Sequence, residues 1–201
     1  LLRSHPKTAE LLAVVDRPVR LEAFAQATGE EILQSPLLIS GPASGVVLAD
    51  WARQALRERM GAEGIAAAHR RYIEAARKGI RFGEDDPLSY LSHLAGARLF
   101  EELAEDAEAL ARLAGNEWST AEWMRFAHIL EAATPVRRAL NPAIALRIGQ
   151  ILVERQELTR AAPWLEELVP GSGTDEVHRA ILLSEVWKAK PGPIANEQMW
   201  S

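Results

Sequence analysis

The chain has 201 residues, 48% of them apolar, with a net charge of −5 and a sequence pI of 5.6. That length fits one or two domains whose cores need no covalent staple, and the absence of cysteine excludes disulfides and thiolate metal sites. The acidic balance is a poor match for phosphate backbones, and no apolar run approaches the roughly 20 residues that span a bilayer.

Charges interrupt every apolar stretch near the N-terminus, so no signal peptide is expected. The lack of cysteine fits a reducing cytoplasm. The first residue is Leu1, which reads most simply as the start of a piece excised from a longer protein.

Residues 1–60 are expected to form one unit. Ser4 can cap a helix that begins near Pro6 and carries Leu11, Leu12 and Val15. Arg17-Pro18 stops it. A second helix puts Leu21, Phe24 and Ala25 on one face, and Gly29 fits a left-handed cap. A short third helix, Glu30 to Gln34, precedes a β-hairpin with strands Leu37–Ile39 and Val46–Leu48. Its turn is Gly41-Pro-Ala-Ser-Gly45. Asp50 then caps the helix that carries Trp51, Ala52, Ala55 and Leu56. Helices ahead of a single hairpin describe a winged-helix module.

From residue 61 onward the chain reads as helices alone. Gly61 and Gly64 separate the next one, on which Ile65, His69, Tyr72, Ile73, Ala76 and Ile80 keep helical spacing. Asp86-Pro87 is a cap followed by the favoured first-turn proline, and its helix runs to Leu94. Leu99, Phe100, Leu103, Ala107 and Leu110 mark another. Ser119-Thr-Ala-Glu122 is a capping box ahead of Trp123, Ala127 and Leu130. Thr134-Pro135 and Asn141-Pro142 repeat the cap-then-proline device. Thr174 opens the last helix, and Pro191-Gly-Pro193 ends it.

Short helices with short polar connections predict antiparallel pairs, as in an α-solenoid. Residues 142–173 resemble a tetratricopeptide unit: Gly149 and Leu152, then Ala161 and Leu165, fit its small and large positions. Leu168 and Gly173 depart from the pattern, where a small residue and a proline are usual. The expected fold class is mainly α: a winged helix (1–60), a helical bundle (61–115) and a tetratricopeptide-like arm (116–201).

Catalytic constellations are missing from the sequence. There is no G-x-x-x-x-G-K-[ST] loop and no G-x-G-x-x-G fingerprint. The GPASG turn joins strands and opens no helix, so it lacks the amide cradle that binds phosphate. The five histidines (His5, His69, His93, His128, His178) include no i, i+4 metal pair. His69, His93 and His128 read as satisfied interior groups, with pH sensing or ligand contact as the sharper alternative. The acidic run Glu101, Glu102, Glu105, Asp106, Glu108 spreads around one helix and reads as a solvated face. No catalytic, cofactor-binding or metal residue is assigned, and the chain is expected not to be an enzyme.

DNA binding is weighed and set aside. Residues 1–60 balance seven basic residues (Arg3, Lys7, Arg17, Arg20, Arg53, Arg57, Arg59) against seven acidic ones (Glu10, Asp16, Glu22, Glu30, Glu31, Asp50, Glu58). The wing turn has no Lys or Arg, and a DNA reader shows a basic stripe.

The order winged helix, bundle, superhelical arm resembles the region behind the nucleotide-binding domain of STAND NTPases. These include NLR-type immune receptors, the apoptotic protease-activating factor and the bacterial maltose-regulon activator. VVDRPVRLEAFAQATG (14–29) is similar to the family's first winged-helix segment. VVLADWARQALRERM with AHRRYIEAARKG (46–79) is similar to the wing strand and the two helical stretches after it. DPLSYLSHLAGARLFEEL (86–103) is similar to a later helix–turn–helix segment.

The resemblance implies a His-Asp pair at the last wing strand, with the His on the β-phosphate of ADP. The matching positions are Ala49 and Asp50, and Ala49 cannot donate that bond. ATP or ADP would then belong to a parent chain. The resemblance also implies protein partners: the chain's own nucleotide-binding domain, partner subunits or a peptide. It implies a switch with hinges, for which Arg17-Pro18 and Gly61–Gly64 are candidates beside the plainer reading of helix-break loops. The alternatives are a helical-repeat scaffold that binds a peptide, and a transcription regulator that acts through DNA. Among the six tryptophans, Trp51 and Trp123 read as core, and Trp164 and Trp187 as contact residues.

Overall fold

The structure, a computed structural model, describes residues 5–30, 37–40, 45–83, 86–169 and 171–189. Among these residues the chain is mainly helical, with ten helices and one three-stranded antiparallel sheet. It divides into two compact units, Leu1–Leu103 and Ala104–Ser201.

The first unit opens with α1 (Pro6–Val14), β1 (Val19–Arg20) and α2 (Leu21–Thr28), followed by β2 (Leu38–Ser40) and β3 (Gly45–Leu48). The long α3 (Asp50–Arg77) and α4 (Pro87–Gly96) come next. The expected hairpin is present: Leu38 pairs with Leu48 and Ile39 with Val47. A strand not read from the sequence, β1, adds to its far side through Val19 with Val46, giving the order β1-β3-β2. Two residues beside a proline carry no alternation that periodicity could register. Gly45 is needed here, because a Cβ would sit 2.9 Å from Pro18 Cβ. The expected third helix, Glu30 to Gln34, and the hairpin turn, Gly41 to Gly45, lie outside the described residues except at their ends: Glu30 is not helical and Gly45 already belongs to β3.

Both ends of α1 are closed by distant side chains. Ser4 lies outside the described residues, and His5 occupies the N-cap position without a side-chain bond. The Glu30 carboxylate takes the cap's place, accepting from the Thr8 amide at 3.0 Å and the Lys7 amide at 3.4 Å. Burial opposes the ionisation of Glu30, but the bonds from Thr8 and Lys7 outweigh it and hold the carboxyl below its usual range. At the other end, Arg57 Nε donates to the Ala13 carbonyl at 2.7 Å and Arg53 to that of Val15 at 3.1 Å. Asp16 pairs with both arginines.

Leu11, Leu12, Val15, Phe24, Leu48 and Leu56 form the centre of this unit's core. Fully burying each such side chain stabilises by about 1.5–3 kcal/mol. Gly29 takes φ +71° and caps α2 as expected. α3 runs through position 60, and its helical geometry breaks at Gly61, where φ is 64° and ψ 179°.

The second unit holds α6 (Thr120–Glu131), α7 (Thr134–Ala139), α8 (Pro142–Glu154), α9 (Leu158–Glu166) and α10 (Gly173–Lys188). The helix α5 (Phe100–Ala114) contains the boundary between the units. Ser119 and Glu122 make the expected capping box, and Asn141 accepts from the Ala143 amide at 3.0 Å. Two caps differ from expectation. Ala133 precedes α7, so Thr134 is already helical. Ser172, not Thr174, caps α10 by accepting from the Asp175 amide. Pro191–Pro193 lies outside the described residues.

α8 and α9 pack as a helical hairpin with α10 against both. The predicted small-to-large fit is explicit. A Cβ on Gly149 would meet Leu165 Cδ2 at 2.5 Å, so the glycine lets the two helices close.

Candidate functional site

At the wing-to-helix junction, the Ala49 amide donates to the Leu37 carbonyl at 3.0 Å, which ties the start of α3 to the residue before β2. Ala49 itself is the N-cap of α3 and Asp50 the first helical residue. The expected cap from Asp50 is therefore corrected: its carboxylate makes no cap bond and pairs with Arg53 one turn on. An acidic group in the first turn still complements the helix dipole.

Two aromatic expectations reverse. Trp51 is 67% exposed on the first turn of α3, and not core. Trp164 is 1% exposed and therefore no contact residue; its ring lies under the Arg137 guanidinium at 5.9 Å. Arg137 in turn forks onto Glu167 at 2.8 and 3.3 Å. Those bonds, aided by Arg138 and opposed by burial, hold the Glu167 carboxyl below its usual range. Sequence spacing placed Trp51 on an apolar stripe and Trp164 in the arm, but could not say which face a neighbour covers. Trp123 is buried as expected, with Nε1 donating to the Gly115 carbonyl at 3.1 Å.

Trp187 is 57% exposed and belongs to a larger feature. One face of α10 is buried through Leu182, Leu183 and Val186, while Val177, Ile181 and Trp187 stand in solvent. At about 100° per residue, Ile181 lies about 40° to one side of Val177 and Trp187 about 80° to the other. Beside α10 lies a groove of about 460 Å³ lined by Leu158, Thr159, Ala162, Pro163, Val186 and others. Pro163 sits inside α9 and has no N–H, so the Thr159 carbonyl lacks its i+4 donor at the groove wall.

The histidines sort into two groups. His69 and His93 are buried and meet each other, Nδ1 to Nδ1, at 2.9 Å. Satisfied interior histidines were expected, but not that they satisfy one another; α3 and α4 lie 24 positions apart at this contact, beyond any local pattern. His128, by contrast, is an exposed side chain and not an interior one. Among the described residues no group of three or more His, Asp or Glu could hold a metal ion. None of the described helices is long and apolar enough to cross a membrane.

No protein-family model, curated protein or solved structure matches this chain.

Proposed function

We propose that this chain is a non-catalytic, protein-contacting regulatory arm of a cytoplasmic STAND-type switch. The observation that carries the reading is the element order of the first unit, helix–strand–helix–strand–strand with the sheet order β1-β3-β2, followed by helical hairpins. The exposed apolar side chains of α10, Val177, Ile181 and Trp187, support a role in protein contact. Ala49 supports an arm without the family's phosphate-touching histidine; any ATP or ADP would be held by other parts of a parent chain.

The test is made in the complete gene product. A G-x-x-x-x-G-K-[ST] loop is expected upstream of this segment, and Ala49→His is expected to slow ADP release from it. Absence of the loop removes the switch, and unchanged release removes Ala49 from it. The exposed apolar side chains of α10 also favour a second reading, a helical-repeat scaffold that captures a peptide, which survives without an upstream loop.

A further inference from the structure

We propose that His69 and His93 form an acid-sensitive latch between α3 and α4, closed while one ring donates and the other accepts, and opened when the accepting nitrogen takes up a proton. The proposal starts from the bond between the rings. An Nδ1···Nδ1 hydrogen bond of 2.9 Å needs one N–H and one lone pair. A proton on the accepting Nδ1 removes that lone pair and sets two N–H groups face to face beside a buried cation.

The rings cannot easily turn away. His93 stacks on Tyr72 at 3.6 Å with the planes 1° apart, and Tyr72 stacks on Phe82 at 4.4 Å. On the other side the His69 ring fills the space a Cβ on Gly96 would need, approaching it to 2.4 Å. The latch therefore joins the aromatic core to the last turn of α4.

Nothing around His69 favours an imidazolium. Burial first, then the neighbouring His93, then Arg57, push it down to about 3. Potential counter-charges on the elements packed against α3 are engaged elsewhere or face solvent. Glu10 of α1 pairs with Arg71, and Lys7 and Glu22 are exposed. Glu63 of α3 pairs with Arg98, and Arg77 with Glu102 and with Tyr90 of α4.

The test is amide exchange on the 201-residue chain, corrected for intrinsic rates, with α8 as internal reference. Protection over Ala66–Ala75 and Leu88–Leu94 is expected to fall about tenfold per pH unit below about 6.5. His69→Gln, which cannot take a proton, is expected to flatten that slope. Protection that is unchanged down to pH 5 overturns the proposal, as does a His69→Gln chain with the same slope as the parent. If the variant does not fold, ring NMR of the parent decides: His69 taking up a proton near 6.5 while both helices stay protected overturns the latch.

Discussion

Gly96 shows how much one hydrogen atom can decide. Glycine near the end of a helix reads as an ordinary stop signal, yet here the missing Cβ is the seat of the His69 ring. Gly96→Ala should help α4 by propensity and lose more through overpacking, for a net destabilisation of about 1–3 kcal/mol. Urea denaturation reads this directly, and a change within about 0.5 kcal/mol would show that the ring moves freely. Glu30 makes the same point for charge. In the sequence it is one of the acids that balance the basic residues of 1–60, and it serves as the distant cap of α1. Asp50, a good local cap by residue type, is spent on Arg53 instead. Residue type limits what each side chain can do, and the partner within reach selects among those options.

At the scale of elements, the hairpin of α8 and α9 was readable because Gly149 and Leu165 are matched in size and set at tetratricopeptide-like spacing. The two tryptophans of this region were not separable that way. Trp164→Ala should cost about 3–5 kcal/mol, since it empties a closed site under Arg137. Trp187→Ala should change stability by less than about 0.5 kcal/mol. Thermal melts of both variants check the contrast, and equal losses would mean that the outer face of α10 is covered in solution. β1 was missed for a different reason: a two-residue strand exists only because β3 lies beside it.

Across the whole molecule, acid acts in two stages of the same sign, each losing stability as pH falls. His69 sits below its ordinary 6.5 when folded, so its neutral form stabilises above that pH and its contribution is lost as pH falls toward about 3. Glu30 and Glu167 are also held low. Their contributions are intact above the ordinary carboxylate range and are lost only below it. Stability measured by denaturant should therefore begin to fall near pH 6.5, and fall more steeply once carboxylates protonate below about 4.5. A flat profile down to 4.5 would contradict the first stage.

By itself, the sequence determined the mainly helical class, the wing hairpin, the capping box at Ser119 and the close approach at Gly149. Each depends on neighbours within a few positions or on a short repeat, where backbone geometry leaves few choices. Tertiary structure alone decided which apolar stripe is buried, which carboxylate reaches which amide, and that His69 finds His93. Those outcomes depend on contacts between elements far apart in the chain, where burial and charge pairing select one arrangement and no local spacing records it.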